Sequence, residues 1–144
     1  MNILIVEDDV AVTSVLTETI QRLGYRAENA DTCKDALKKV KQKRFDLILL
    51  DIFLPDGKGH EIIPQFKELW PDVGIVTMTG YNTRELEMEV RQQGILYYMI
   101  KPFDPMALKE LLDHISRKYS DKADNEIDFK ARKEVILTRG QTMK

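Results

Sequence analysis

The stretch Phe45-Asp46-Leu47-Ile48-Leu49-Leu50-Asp51, continuing as Ile52-Phe53-Leu54-Pro55-Asp56-Gly57, decides the fold. Residues 46–50 are nearly all apolar, the mark of a strand covered on both faces, and such strands belong to parallel sheets flanked by helices. The run ends on a carboxylate, Asp51, and turn-forming residues follow within a few positions. A hydrophobic strand therefore delivers an acid to its carboxyl-terminal tip, where a loop begins.

The same arrangement recurs on either side. Residues 2–6, apolar after Asn2, lead into Glu7-Asp8-Asp9, residues 73–78 lead into Thr79-Gly80, and residues 95–100 lead into Lys101-Pro102. Residues 25–30 form a shorter, more polar strand, as an edge strand can be. Helical spacing fills the intervals. Val12, Val15, Leu16, Thr19, Ile20 and Leu23 mark the first helix, with Asp8 or Asp9 as its cap and Gly24 as its end. Cys33, Ala36, Leu37 and Val40 mark the second, capped by Asp31, with Lys34, Lys38, Lys39 and Lys41 on a solvated face. The third spans residues 59–70 and offers Ile62, Ile63, Phe66, Leu69 and Trp70 to the core, with Pro64 tightening or starting it. The fourth covers residues 82–93, anchored by Leu86 and Val90. The last follows Asp104 and carries Leu108, Leu111, Leu112, Ile115 and Tyr119. Five strands alternating with five helices predict an α/β, doubly wound parallel sheet. Ligands of such sheets gather at the carboxyl ends of strands, where Glu7, Asp8, Asp51, Thr79 and Lys101 lie.

Composition narrows the classes. A chain of 144 residues is one domain's worth. A net charge of −2 gives no support to a broadly basic nucleic-acid surface. The single Cys33 cannot form an internal disulfide and reads as a buried structural thiol. No run of 18 apolar residues is present, and the opening residues read as a strand, not a signal peptide. A soluble, cytoplasmic protein without membrane contact is expected. After Tyr119 the character changes: residues 120–126 are polar, and Val135-Ile136-Leu137 is the only apolar core of the remainder. The expected organisation is a folded domain at 1–119 and a polar linker or C-terminal extension at 120–144, too short to be an independent domain.

The strand-end residues suit phosphoryl chemistry. Asp51 alone could merely cap a turn, but Asp8 and Lys101 stand at matching positions. A carboxylate can attack phosphorus and hold the group as a mixed anhydride, provided positive charge surrounds it. Asp8 is the best direct ligand for Mg²⁺, with Mn²⁺ as a substitute. Glu7 acts through water or shapes the surroundings, and Asp51 and the Phe53 carbonyl supply further oxygens. Asp9 reads as a helix cap. Lys101 pairs with Asp51 before reaction and with a phosphoryl oxygen after it. Thr79 offers a hydroxyl that reaches such an oxygen after a small loop movement. Tyr98 either packs under the fourth helix or moves between exposed and buried rotamers as the Thr79 loop shifts. His60 and His114 lack any metal-ligand pattern and read as surface or partly packed. Neither a P-loop nor a serine nucleophile elbow occurs.

The chain resembles a bacterial response-regulator receiver domain of the two-component signalling family, the CheY-like superfamily. The resemblance covers residues 1–119 and rests on Ile3-Leu4-Ile5-Val6-Glu7-Asp8-Asp9, Leu49-Leu50-Asp51-Ile52-Phe53-Leu54-Pro55, Thr79-Gly80 and Tyr98-Met99-Ile100-Lys101-Pro102-Phe103. It implies a flavodoxin-like (βα)5 fold with strand order 2-1-3-4-5. It implies a histidine kinase or histidine phosphotransfer protein as partner, donating to Asp51. Mg²⁺ would be bound by Asp8, Asp51 and the Phe53 carbonyl with Glu7 assisting, and Thr79 and Lys101 would hold the product. Thr79 and Tyr98 would relay the state to the face of the fourth helix, fifth strand and fifth helix, and hydrolysis would reset a switch that is not a metabolic enzyme. The fifth strand departs from the family's usual Gly-Ala opening and reads Gly94-Ile95-Leu96-Tyr97-Tyr98, whose two tyrosines favour a homodimer.

A receiver fragment of a longer transcriptional regulator is the alternative, though no helix-turn-helix-like pair argues for direct DNA binding by these residues. A Mg²⁺-dependent aspartyl phosphatase commonly needs an acid where Phe53 stands. A phosphorylation-independent interaction domain would be expected to lose Asp8, Asp51 or Lys101. A flavin carrier would be repelled by Glu7-Asp8-Asp9. Phe53 and Tyr81 are expected to shield the phosphoryl group and slow its hydrolysis.

Overall fold

The computed structural model describes residues 1–119, so the expected linker or extension at 120–144 lies outside the described residues. The elements in chain order are β1 (Asn2–Val6), α1 (Val10–Arg22), β2 (Arg26–Ala30), α2 (Cys33–Gln42), β3 (Leu47–Asp51), β4 (Phe53–Leu54) and β5 (Gly57–Lys58). A 3-10 turn (Gly59–Ile62), α3 (Ile63–Leu69), β6 (Gly74–Thr79), α4 (Arg84–Arg91) and β7 (Tyr97–Ile100) follow. A final helix, α5, starts at residue 105 and runs through 119. Met1–Lys109 forms one compact unit, and residues 110–119 belong to a second.

Five strands make one sheet in the order β2-β1-β3-β6-β7, with every neighbouring pair parallel. Counting only those five, the order is 2-1-3-4-5, the doubly wound arrangement. β3 is buried at all five positions because helices cover both faces. Alternation sends Leu4, Val6, Ile48 and Leu50 to one face, where they join Ala36 and Val40 of α2 and Ile63 and Phe66 of α3. Ile3, Ile5, Leu47 and Leu49 point the other way and are equally buried. Each such side chain contributes about 1.5–3 kcal/mol relative to exposure.

The helix anchors hold with some exceptions. Leu16, Ile20, Leu86, Val90 and Leu108 are buried as expected, but Val15, Leu69 and Tyr119 are exposed. Asp9 is the α1 cap, its carboxylate accepting from the Ala11 and Val12 N–H groups. Asp31 is not the cap of α2; Thr32 is, its hydroxyl accepting from the Asp35 N–H at 3.0 Å. Pro64 sits in the first turn of α3, where its missing N–H has no intrahelical role. Asp104 accepts from the Met106 N–H at 2.9 Å and caps α5. The largest unforeseen element is the β4–β5 hairpin, which pairs Phe53 with Lys58 and Leu54 with Gly57.

His60 corrects its expectation: at 1% exposure it is buried, not a surface or partly packed group. Its Nε2 lies 3.1 Å from a Glu89 carboxylate oxygen on α4, and its Nδ1 has no hydrogen-bond partner. His114 is exposed. Cys33 is buried, and burial together with the nearby Asp56 carboxylate pushes its thiol up to about 11. It therefore stays protonated and unreactive at neutral pH.

Candidate phosphoacceptor site

Strand register builds the site. Val6 lies opposite Leu50, so Glu7 follows at the level of Asp51. Asp51 lies opposite Met78, one residue before Thr79, and Thr79 lies opposite Ile100, one residue before Lys101. Parallel strands ending at one edge thus bring Glu7, Asp51, Thr79 and Lys101 together from four distant parts of the chain. Asp8 begins the loop into α1, and the Asp9 cap fixes that loop.

Glu7, Asp8 and Asp51 each present a carboxylate oxygen, and these atoms lie within 4.8 Å of one another. Glu7 and Asp51 are 3% and 5% exposed, whereas Asp8 is open to solvent. The Lys101 ammonium reaches both buried acids, at 2.5 Å from Glu7 and 3.2 Å from Asp51. The closer partner is Glu7, not the Asp51 foreseen from the sequence. Burial, reinforced by repulsion from Asp51, raises the Glu7 carboxyl despite the pull of Lys101. For Lys101, burial opposes the charge, but the hydrogen bond to Glu7 and the charge of Asp51 outweigh it and hold the ammonium above its ordinary range. Three acids against one lysine leave an excess of negative charge at a site where two of the acids are buried and Asp8 faces solvent. A hard divalent cation matches that donor set: it prefers carboxylate oxygens, needs only one or two of them directly, and neutralises the surplus.

The surrounding groups are fixed differently. The Phe53 N–H donates to an Asp51 carboxylate oxygen at 3.3 Å. Gly59 admits no side chain, because a Cβ there would overlap the Asp51 carbonyl oxygen. Its N–H donates to the Ile52 carbonyl at 2.7 Å and closes the base of the hairpin. The buried Thr79 hydroxyl donates to the Tyr81 carbonyl at 2.9 Å and accepts from the Tyr81 N–H at 3.1 Å, so it is engaged in its own loop. Tyr98 is buried, and its hydroxyl donates to the Asn82 side-chain oxygen at 2.7 Å in the loop before α4. Its ring joins Ile52, Leu86 and Val90 in one apolar cluster, so the residue after Asp51 packs directly against the inner face of α4. The Lys101–Pro102 peptide is cis. Two cavities flank the edge. One, of about 430 Å³, is polar and includes Glu7, Asp8, Asn29, Asp31 and Asp35. The other, of about 530 Å³, is apolar and is lined by Val12, Val15, Gly80, Lys101, Pro102 and Phe103.

The sequence profile of the response regulator receiver domain matches residues 3–113. The chain belongs to that family. This receiver domain is 34% identical over 115 residues to the "DNA-binding transcriptional regulator NtrC" of Azospirillum brasilense, covering 80% of this chain and 23% of that protein. The chain spans about a quarter of the length of the curated relatives it matches. A CheY-like receiver domain protein from Methanospirillum hungatei JF-1 superposes with a TM-score of 0.76 at 31% identity, over 86% of this chain and 97% of that one. The beryllofluoride-activated NtrC4 receiver domain dimer superposes with a TM-score of 0.77 at 30% identity, over 82% and 98% of the two chains. The receiver fold implies a histidine kinase or phosphotransferase as partner in a two-component relay. Among the described residues no helix is long and apolar enough to cross a membrane.

Proposed function

We propose that Asp51 is the phosphoacceptor, that Glu7, Asp8, Asp51 and the Phe53 carbonyl hold Mg²⁺, and that Thr79 and Lys101 receive the phosphoryl oxygens. The carrying observation is the cluster itself: three carboxylates within 4.8 Å, with Lys101 bridging the two buried ones. The ion, when bound, shields the acids and draws charge from the transferring group. An Asp51 oxygen attacks phosphorus as the phosphorus–nitrogen bond of a partner's phosphoimidazole, protonated on its other ring nitrogen, breaks; the electron pair stays on nitrogen, leaving an acyl phosphate on Asp51 and neutral imidazole on the partner. Lys101 exchanges a carboxylate for a phosphoryl oxygen. Thr79 must release the hydrogen bond it donates to the Tyr81 carbonyl before its hydroxyl can donate to the new group, which ties loop movement to phosphorylation.

The two cavities support separate approaches. The ion enters from the polar side beside Asp8. A histidine-bearing partner seats apolar side chains in the groove ending at Lys101, which accounts for the exposure of Val15. Tyr98 and Thr79 then report the state to a surface where Met88, Tyr97, Ile100 and Met106 are all about half exposed or more. That surface is the homodimer contact in this reading. The short span relative to the Azospirillum regulator favours a second possibility at the level of the whole protein, a receiver segment of a longer transcriptional regulator.

Incubation with a small phosphoryl donor, followed by intact mass, tests the reading. A Mg²⁺-dependent gain of one phosphoryl group, absent in Asp51→Asn, is expected. Equal labelling of the Asp51→Asn variant would move the acceptor elsewhere.

A further inference from the structure

The hairpin beside Asp51 is tied down at both ends. At its base, Gly59 closes on Ile52 and the Asp51 carbonyl. At its tip, both oxygens of Asp56 are used: one accepts from the Cys33 N–H at 2.8 Å, the other from the Lys34 N–H at 3.0 Å. Cys33 and Lys34 are the first two residues of α2. Their N–H groups have no intrahelical acceptor, and the positive end of the helix favours a carboxylate there. The third N–H, that of Asp35, donates to the Thr32 hydroxyl, the helix's own cap. The start of α2 is thus completed by a residue more than twenty positions away. Those two N–H groups hold the Asp56 carboxyl below its ordinary range, so it is ionised at neutral pH.

Phe53 lies between the two ties. Its N–H touches Asp51 and its carbonyl is the backbone oxygen assigned above to the ion. We infer that Asp56 is a positioning residue for the phosphoacceptor site: by clamping the hairpin tip to α2, it fixes the Phe53 peptide against Asp51. The inference rests on the proposed metal and acceptor roles. It also predicts that the geometry of the site depends on α2, an element that contributes no group to it.

Mg²⁺ titration of the unphosphorylated protein by calorimetry tests this, alongside hydrogen exchange at the Phe53 amide. Asp56→Ala is expected to weaken Mg²⁺ about tenfold, as loss of a group orienting a ligand commonly does, and to speed Phe53 exchange. Asp56→Asn, which keeps one accepting oxygen, is expected to fall between. Thr32→Ala is the control: it removes a cap from the same helix without touching the hairpin, so it lowers stability but leaves Mg²⁺ affinity within about twofold. Wild-type affinity in Asp56→Ala, or an equal loss in Thr32→Ala, overturns the positioning role and leaves the acceptor reading standing. Wild-type protein that neither binds Mg²⁺ nor takes label on Asp51 overturns both. If Asp56→Ala does not fold, the Asp56→Asn and Thr32→Ala pair decides in the same way.

Discussion

At the scale of single residues, the site is governed by surplus negative charge. The Glu7 carboxyl is raised by burial and by Asp51, so it holds a proton to higher pH than a free carboxyl does. A proton on Glu7 competes with a divalent ion. Apparent Mg²⁺ affinity is therefore expected to fall as pH drops into the region just above the ordinary carboxylate range, and Glu7→Gln is expected to flatten that dependence. The stability consequence has the opposite sign from a paired carboxylate: with its folded pKa raised, Glu7 favours the native state when protonated and opposes it once ionised. Thermal melts in chelator should accordingly show Glu7→Gln gaining stability near neutral pH, an advantage that added Mg²⁺ removes. A second residue-scale outcome concerns the lifetime of the acyl phosphate. Phe53 and Tyr81 meet edge to face, with ring centroids 6.1 Å apart, beside the acceptor loop. If this pair hinders water, Phe53→Ala and Tyr81→Ala each shorten the lifetime several-fold, on the order of 1 kcal/mol in the barrier; label decay at or below the wild-type rate in both variants would remove the shielding idea.

At the scale of elements, α4 is fastened to the segment that follows the hairpin. His60 reaches Glu89 in the middle of α4, and the Lys67 ammonium donates to the Gln93 and Gly94 carbonyls just past its end, at 2.7 and 2.6 Å. The two ties are unequal. Lys67 satisfies two carbonyls of the turn that follows the helix. His60 buries a ring whose Nδ1 has no partner, and its acceptor is on an exposed glutamate. Replacing a buried, half-satisfied polar group by an apolar one of similar shape can be nearly neutral or stabilising. His60→Leu is thus expected to leave unfolding stability unchanged or raise it by about 1 kcal/mol, whereas Lys67→Met lowers it; denaturant titration separates the two. These ties also mark where sequence reading stops. Four strands of the sheet were legible because they are largely apolar runs that lead into a polar residue, whereas the edge strand β2 is polar and carries a weaker signal. Leu86 and Val90 were legible because they repeat at helical spacing. His60 carries no such signal: its burial is imposed by Gly59 packing on Asp51 and by α4 closing from 29 residues away. Asp31 and Thr32 are both good caps by residue type; the helix uses Thr32 for the Asp35 N–H, and Asp56 takes the N–H groups of Cys33 and Lys34. The polar cluster of Glu7, Asp8, Asp51 and Lys101 was readable one strand end at a time, but the preference of Lys101 for Glu7 depends on side-chain reach across the sheet.

At the scale of the whole molecule, two groups among the exposed apolar side chains have different chemistry nearby. Val15 lines the groove that ends at Lys101, and Val10 lies at the start of the same helix. Met88, Tyr97, Ile100 and Met106 lie on α4, β7 and the start of α5, beside the buried Tyr98. Solvent-exposed apolar side chains of this size, on an edge strand and its flanking helices, are the material of association surfaces. The Tyr98 hydroxyl is bonded to Asn82, and Thr79 is bonded to Tyr81 in the same loop. If Thr79 takes the role proposed for it, drawing it toward a phosphoryl oxygen disturbs the loop that holds Tyr98 through Asn82, and the second surface is expected to change with the state of Asp51 while the first need not. Self-association is accordingly expected to rise on treatment with Mg²⁺ and beryllofluoride, a phosphoryl mimic named for the activated NtrC4 dimer. Sedimentation velocity should show a shift from monomer to dimer in the wild type. Tyr97→Arg, which places a charge in the surface, is expected to abolish the shift while phosphoryl gain on Asp51 stays normal, and Val15→Arg is expected to leave dimerisation intact while slowing transfer from a phosphohistidine partner. A Tyr97→Arg protein that dimerises like the wild type would place the contact elsewhere; one that also fails to take label would mean that the two surfaces are not separable functions.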